Sequence, residues 1–393
     1  MTIARLGGIK VGQNRPVIIM GVVNMSPESF YGGSIAKNPD DALKRASTMI
    51  EQGAKIIDVG GMSTAPYKAT EISVEEEVLR VVPVIKRLKK ELGCVISVDT
   101  TRAEVAENSF RAGAQILNDV TGLKGDSKMA KVAHDYSVSA ILAARETSAG
   151  SGPPLFRVLR SLKESILLAV EAGLRRENIV IDPGIGFFRN TGIDWYDWDV
   201  DVLSNLFALR VLDRPILVAV SRKSFIGKIT SVANPEERLY GSLAAESVAV
   251  ALGADIVRTH NVSESLQAAQ VARKLRPEIL ERIGPNTRKK IPAVMEIQSH
   301  HWKKSLAEVG KHAGEGATRM VLISGIDRQI HELIKSSVGQ KGGEFISEPE
   351  SLTSLVMLAD RRQIESLIHK AGAEKGNRIC SVLDQLKTIY DIS

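Results

Sequence analysis

The chain has 393 residues, of which 44% are hydrophobic and 25% charged, enough apolar material for one large core and a second, smaller one. A net charge of +6 and an aromatic content of only 4% argue against a nucleic-acid-binding protein, which concentrates basic and aromatic residues on one face. Two cysteines, Cys94 and Cys380, are too few for a disulfide framework or a cysteine-rich zinc site.

The first apolar run, VIIMGVV, is too short to span a membrane and lacks a small-residue cleavage site. We therefore expect a cytoplasmic protein that has neither membrane nor nucleic-acid partners.

Short β-branched runs alternate with longer segments of helical period, and the alternation occurs eight times. The predicted strands are Val17–Val23, Ile56–Val59, Val95–Val98, Ile116–Leu117, Ser139–Ala143, Ile179–Ile181, Ile216–Val220 and Ile256–Arg258. The predicted helices are Asp40–Gln52, Val74–Leu92, Arg102–Ala112, Ser127–Tyr136, Leu155–Ala172, Val200–Leu209, Glu236–Leu252 and Ser263–Leu275. This order predicts an α/β fold, a (β/α)8 TIM barrel. A doubly wound sheet is the alternative, but no G-x-G-x-x-G follows the first strand.

Gly-Ala pairs separate three of the predicted helices from the strands that follow them. Gly53, Gly113 and Gly253 each stand where a left-handed glycine ends a helix.

The barrel is predicted to occupy residues 1–280, followed by a polar, proline-containing linker over 281–295. Residues 296–393 are predicted to form a small α/β domain of unknown role, with a strand at Met320–Ile323 and helices at Arg328–Val338 and Arg361–Ala371. Its adjacent histidines, His300 and His301, point about 100° apart on a helix, which favours a surface pair over a metal site.

Polar residues follow the predicted strands at the ends where a barrel of this kind carries its chemistry. They are Asn24, Asp58, Asp99, Asn118 with Asp119, Asp182, Lys223, and Arg258 with His260. Each has a simpler explanation alone, since an acid at a strand end is commonly a helix N-cap. We favour a binding site because all of them fall on one rim.

The set also has a chemical logic. Asp99, Asn118 and Asp182 form an acceptor-rich floor for a planar heterocycle with N–H and NH2 donors, and Lys223 suits the acceptor side of that ring. Arg258 and His260 near the mouth suit a diphosphate.

Seven motifs occur in order: GVVNMSPESF, DVGGMSTAP, SVDTTRAEV, ILNDV, IDPGIGF, SRKSFIG and VRTH. Together they resemble the dihydropteroate synthase family, pterin-binding barrels, from about Ile19 to Leu275. The resemblance implies that the chain joins 6-hydroxymethyl-dihydropterin diphosphate to an arylamine, in folate or tetrahydromethanopterin biosynthesis, and pairs as a homodimer.

The resemblance also implies roles for individual residues. Asp99, Asn118, Asp182 and Lys223 would hold the pterin, and Ser63, Thr64, Phe187 and Ser224 would border the arylamine. Catalysis would rest on Asn24, Arg258, His260 and Lys223, with Asn24 as ligand of a Mg²⁺ that bridges the diphosphate oxygens.

Four departures from the family pattern gather on the arylamine side. The second loop has Ala65 where an arginine is usual, the first loop reads YGG, the fifth strand lacks M-H-M, and Phe188-Arg189 replaces Gly-Lys. We therefore expect an archaeal-type member whose arylamine is 4-aminobenzoate or a derivative of it that carries a ribosyl phosphate. Lys68, Arg145 or Arg189 would meet that phosphate. The alternatives are a pterin-dependent methyltransferase and a non-catalytic pterin-binding protein.

Overall fold

The structure is a computed structural model that describes residues 3–26, 35–64, 71–147, 150–276, 293–297, 318–347, 354–371 and 377–392. The described residues form two compact units. The larger holds Ile3–Leu206 and Arg214–Arg276, and the smaller holds the C-terminal residues together with Phe207–Asp213.

Eight parallel strands form the centre of the larger unit. They are β3 (Ile18–Asn24), β4 (Ile56–Gly60), β5 (Val95–Asp99), β6 (Ile116–Asp119), β7 (Ser139–Ala143), β8 (Ile179–Asp182), β9 (Leu217–Val218) and β10 (Ile256–Thr259). Each strand pairs with the next in chain order, except that β8 and β9 meet only at a bridge between Ile181 and Ile216, and β10 pairs with β3. The ring is thereby closed, and the predicted TIM barrel is confirmed, with every strand within two residues of its predicted ends.

Helices follow the strands around the barrel. They are α1 (Pro39–Glu51), α2 (Val74–Glu91), α3 (Ala103–Ala112), α4 (Met129–Asp135), α5 (Pro154–Glu171), α6 (Trp195–Ser204), α7 (Ser224–Thr230), α8 (Leu239–Ala251) and α9 (Val262–Leu275). Short 3-10 turns lie at Arg176–Asn178, Leu206–Leu212 and Pro235–Glu237. The predicted glycine caps are confirmed, since Gly53, Gly113 and Gly253 have φ values of 108°, 116° and 120°.

Two helices differ from the prediction. The helix expected at Val200–Leu209 begins instead at Trp195 and ends at Ser204. Trp198, which is fully buried and stacks on Phe188 with ring centroids 4.6 Å apart, anchors this earlier start. Helix α7 was not predicted, because its seven residues are too few for a helical period to stand out.

An antiparallel hairpin closes the N-terminal end of the barrel and was also not predicted. Its strands, β1 (Ile3–Leu6) and β2 (Ile9–Gly12), are joined by Gly7-Gly8, both with positive φ. Ala4, Leu6 and Val11 pack into one buried cluster with the first inward residues of the barrel strands. The hydroxyl of Ser139 on β7 donates to the carbonyl of Arg5 at 2.7 Å and accepts from the amide of Gly7 at 3.1 Å. The hairpin is therefore a plug under the barrel.

The C-terminal unit contains a four-stranded antiparallel sheet in the order β11-β12-β14-β13. Its strands are β11 (Ala293–Glu296), β12 (Arg319–Ser324), β13 (Glu344–Ile346) and β14 (Ser354–Ala359), and its helices are α10 (Arg328–Gly339), α11 (Arg361–Ala371) and α12 (Asn377–Tyr390). Val321, Ile323, Leu355 and Met357 pack with the helices in one core. The expected small α/β fold is thus present.

The predicted linker 281–295 differs at its end, because residues 293–295 belong to β11 and its earlier part lies outside the described residues. The limits of the domains stay a prediction, and His300 and His301 also lie outside the described residues.

Within the ranges that the structure covers, no helix combines the length and apolar character that crossing a bilayer requires.

Candidate active site

The inward positions of the barrel strands change from apolar to polar toward the C-terminal rim. Ile56, Ile116, Val180 and Ile256 belong to the buried cluster above the hairpin plug. Two residues later on the same strands stand Asp58, Asn118, Asp182 and Arg258. Because side chains alternate across a strand, each of these lies on the same face as the apolar residue before it. A polar layer thus rests directly on an apolar one.

A single cavity lies above this layer and collects most of the predicted site residues. Asn24, Ser63, Thr64, Asp99, Asn118, Asp182, Phe187, Lys223, Arg258 and His260 all line it, together with Ser26, Met62, Val120, Ala219 and Ser221. The side chains come from strands spread around the whole ring, so the barrel brings them together only when it closes.

Arg258 is held between two acids. Its Nε donates to Oδ2 of Asp58 at 2.7 Å, and its Nη2 donates to Oδ2 of Asp99 at 2.8 Å. The same oxygen of Asp58 accepts from the side-chain amide of Asn118 at 3.1 Å. The sequence suggested Arg258 at the mouth, whereas the structure fixes it against the floor, with its side chain 17% exposed.

Asp182 and Lys223 lie on either side of the glycine segment after β8. Oδ1 of Asp182 accepts from the amide of Gly184 at 2.8 Å. A Cβ on Gly186 would lie 3.1 Å from Cδ of Lys223, and the Lys223 Nζ lies 4.4 Å from the centre of the Phe187 ring. The absence of a side chain at Gly186 therefore lets the backbone and Lys223 approach each other closely.

The rim on the other side is formed by β3 and β4. Gly60 stands between Asn24 and Asp99 in the register, and a Cβ there would lie 3.4 Å from Oδ1 of Asn24. Glycine at this position leaves the space above the strand to the two polar side chains. Of the second-loop residues, Ser63 is buried and Thr64 partly buried, both in the cavity wall.

Ser224 is the one predicted site residue that does not line the cavity. It follows Lys223 directly, and its hydroxyl accepts from Nη2 of Arg189 at 3.2 Å. The Arg189 guanidinium in turn lies 4.3 Å from the centre of the Trp195 ring. Arg145 is exposed, and Lys68 lies outside the described residues.

This geometry coincides with a match to a known family. Residues 20–260 match the family of pterin binding enzymes, which is more than half of the chain. The chain belongs to the pterin binding enzyme family. The match begins on β3 and ends at His260, so it contains every predicted site residue.

Relatives in the pterin binding enzyme family include the dihydropteroate synthase of Bacillus subtilis, 42% identical over 65% of this chain and 87% of the relative. The Clostridium beijerinckii dihydropteroate synthase is 39% identical over 68% of this chain and 97% of the relative. Among solved structures, a Clostridium difficile dihydropteroate synthase with pteroic acid is 38% identical, with a TM-score of 0.62 over 67% of this chain and 99% of that one.

Burial controls the charges in the cavity. Burial raises the pKa of Asp99 to about 7. The positive charge of Arg258 opposes this rise, whereas the negative charge of Asp58 adds to it. Burial also raises the pKa of Asp182, although the Gly184 amide and Lys223 oppose it. Both pKa values are raised because burial removes water from the carboxylates. A ligand that brings its own N–H donors to the floor would replace that water and stabilise the ionised acids.

His260 is neutral at physiological pH. Burial, followed by the charges of Arg258, Arg222 and Lys223, lowers its pKa to about 3. Its Nδ1 lies 2.9 Å from the hydroxyl oxygen of Ser221. His260 therefore acts through hydrogen bonds, and Arg258 and Lys223 carry the positive charge of the cavity.

The sequence left three residues out of the predicted site. Asp58 was recognised as a rim residue but given no role, yet it orients both Arg258 and Asn118. Ser221 belongs to the SRKS motif, which was a usable signal. Asp199 on α6 accepts from the amide of Gly186 at 2.8 Å, and no sequence pattern distinguishes it from other acids of that helix.

Proposed function

We propose that the chain is a dihydropteroate synthase, which condenses 6-hydroxymethyl-dihydropterin diphosphate with 4-aminobenzoate and releases diphosphate. One observation carries the proposal: Asp99, Asn118, Asp182 and Lys223 line a single cavity at the C-terminal rim of the barrel. The relatives at 42% and 39% identity bear the name of this activity.

The pterin occupies the floor of the cavity. Asp182 and Asn118 accept from its ring N–H and NH2 groups, and Lys223 donates to its acceptor side. Asp99 has one oxygen bonded to Arg258, and its other oxygen has no hydrogen-bond partner among the described residues. A buried acceptor of this kind requires a donor, which the pterin supplies.

The diphosphate lies above the pterin, near Asn24, Arg258 and His260. Asn24 offers an amide oxygen, a hard donor of the type that Mg²⁺ accepts. The parts of the chain that the structure covers hold no cluster of three or more His, Cys, Asp or Glu that would bind a metal. Asn24 would therefore hold Mg²⁺ together with diphosphate oxygens and water, and the ion would neutralise charge on the leaving group.

The reaction is a substitution at the pterin methylene. The bond from carbon to the diphosphate oxygen breaks and its electron pair leaves with diphosphate, the amine nitrogen forms the new bond, and the amine loses a proton to solvent water. The floor residues hold the ring in place while Arg258 and neutral His260 stabilise the departing diphosphate. No side chain is needed as a nucleophile, so catalysis rests on positioning and charge.

The arylamine lies between Phe187 and the loop that carries Ser63 and Thr64. Phe187 packs on its ring, and Arg189 with Ser224 stands at its acidic end. The same cation suits the phosphate of a ribosylated amine, the substrate expected for tetrahydromethanopterin biosynthesis, so the two amines are compared in the experiment below.

A homodimer belongs to the same proposal. Val248 on α8 and Val271 and Leu275 on α9 line one groove between these helices and are 51%, 62% and 73% exposed. A largely apolar exposed groove of this kind marks an interaction surface. A second copy of the barrel, laid across the same groove, would bury it.

A cytoplasmic location likewise stays a prediction, in keeping with the free thiols of Cys94 and Cys380.

Diphosphate release tests the function. The purified protein is incubated with the dihydropterin diphosphate and Mg²⁺, alone and with each amine, and Asp182→Asn serves as the control. We expect amine-dependent release and a pterin–arylamine product. Pterin binding without release would identify a non-catalytic protein, and methyl transfer from a methylated pterin to a corrinoid would identify a methyltransferase.

A further inference from the structure

Asp199 is a buried acid behind the candidate site. It lies on α6 with 0% of its surface exposed, and acids are almost never fully buried unless they are paired. It is not in the cavity wall, so it does not contact a ligand there. Its burial therefore requires an explanation within the protein.

One oxygen of Asp199 holds the glycine segment. Oδ1 accepts from the amide of Gly186 at 2.8 Å, and Gly186 has a φ of +85°. A Cβ on Gly186 would lie 3.3 Å from Nζ of Lys223, so this backbone forms the surface on which the lysine lies. Asp199 thereby fixes the place of Lys223 through one intervening residue.

The other oxygen, Oδ2, has no hydrogen-bond partner among the described residues. A carboxylate in this position depends on nearby positive charge for its stability. Two cations supply that charge: Lys223, and Arg189 from the same segment as Gly186.

Lys223 is surrounded by charges from four elements. Asp182 on β8, Asp99 on β5 and Asp199 on α6 favour its protonated form, whereas Arg258 on β10 disfavours it. Burial is the largest influence and lowers the Lys223 pKa to about 8. The pKa of Asp199 is raised by burial to about 6, so at neutral pH the acid is ionised and the lysine protonated.

We propose that Asp199 is a positioning residue, which holds the glycine segment against Lys223 and supplies the second negative charge that keeps this lysine protonated at neutral pH. The proposal rests on the proposed function only in so far as protonated Lys223 donates to the pterin.

Substitutions at position 199 can separate the negative charge of Asp199 from its hydrogen bond with the Gly186 amide. Asp199→Asn keeps an oxygen that accepts from Gly186 but removes the negative charge, so it leaves Lys223 in place and makes it easier to deprotonate. Asp201→Asn is the matched control, since Asp201 is also a buried acid on α6 but points about 200° away around the helix.

The direct test is the pH dependence of acylation of Lys223, followed by peptide mass spectrometry of the intact, folded protein. Only the neutral amine reacts, so the midpoint of the reactivity curve reports the lysine's protonation. We expect Asp199→Asn to move the midpoint down by about 1 pH unit, and Asp201→Asn to leave it unchanged. Coincident curves for Asp199→Asn and the natural protein would overturn the proposal.

Asp199→Glu provides a second variant that retains the charge. We expect it to restore the midpoint toward that of the natural protein, and a midpoint equal to that of a neutral replacement would contradict the role of charge. The acylation curves require no substrate. If the natural protein binds no pterin, the proposed function fails while the inference about Asp199 is still decided.

Pterin binding supplies the functional readout. The affinity for a pterin, measured by calorimetry from pH 6 to 9, should begin to fall at a lower pH in Asp199→Asn than in the natural protein. A uniform loss of affinity at every pH would indicate a purely structural role and would reject the proposal.

Discussion

Nε of Arg258 lies 2.7 Å from Oδ2 of Asp58, an acid 200 positions earlier in the chain. The two residues lie on different strands: Asp58 is on β4 and Arg258 is on β10. Both strands pair with β3, which lies between them. The acid is completely buried and does not line the cavity, so Arg258 is oriented by a residue that lies behind the cavity wall.

Asp58→Asn should disorganise the floor. It removes one charge of a buried pair and leaves Arg258 with Asp99 alone, so we expect a loss of about 3 kcal/mol in the free energy of unfolding and weaker pterin binding. Chemical denaturation and calorimetry measure the two effects. Asp135→Asn, which breaks the exposed pair with Lys131, should change neither.

Asp182→Asn and Arg258→Ala should have different consequences. An amide at position 182 keeps one acceptor oxygen, but it replaces the other by an NH2 donor and removes the negative charge, so we expect about 100-fold weaker pterin binding. Arg258→Ala should chiefly weaken binding of diphosphate. Calorimetric titration of each variant with a pterin and with diphosphate separates the losses, and equal losses of both ligands in both variants would refute the assignment.

Arg189→Met should affect chiefly one substrate. Loss of a cation next to Ser224 should raise KM for 4-aminobenzoate about 10-fold, the effect of one charge-assisted hydrogen bond. KM for the pterin diphosphate should change far less, because Lys223 still balances the charge of Asp199. Steady-state kinetics with each substrate varied in turn measures this. Arg189→Lys should recover part of the loss, and the exposed Arg145→Met should be neutral.

Glu246 should make stability depend on pH. Burial raises its pKa to about 7 from 4.5, although the hydroxyls of Ser265 and Thr259 oppose the shift. Its contribution to stability is complete below pH 4.5 and is lost as the pH rises through 7. We therefore expect Glu246→Gln to be more stable than the natural protein at pH 8, by roughly 3 kcal/mol, and to show no gain at pH 4.

Denaturant unfolding at both pH values measures this difference. Glu171→Gln, at an exposed position of α5, is the control and should give the same curve as the natural protein at each pH. An equal gain for Glu246→Gln at pH 4 and pH 8 would show that packing, not charge, is responsible.

Val271→Asp should yield a monomer. The substitution places a charge in the apolar groove between α8 and α9, where it would be buried by a second copy. Sedimentation velocity distinguishes the two states. Leu79→Asp, at an apolar side chain of α2 that is 73% exposed, is the matched control and should leave the assembly unchanged.

The barrel and much of its site followed from the sequence because both depend on local patterns. β-branched runs are strands in any context that buries them, and residues such as Asp182 occur directly after such a run. Closure of the ring then determines that these rim residues meet. The hairpin at Gly7-Gly8 also had a local signal, two apolar runs around a two-glycine turn, which was overlooked.

Other features were not accessible from local patterns. Asp58 and Asp199 are important through partners far away in the chain, and an acid inside a strand or a helix looks the same whether it is exposed or buried. The position of Arg258 likewise depends on both Asp58 and Asp99. Relationships of this kind emerge only when the sheet has closed.

The hairpin under the barrel leaves only one route by which substrates can reach the floor of the cavity. With one end of the cylinder sealed by Leu6 and Val11, whatever reaches the floor must pass the same opening as everything else. With the pterin on the floor, as proposed, we expect the bicyclic substrate to bind before its smaller co-substrate, and diphosphate and then the product to leave through that one opening.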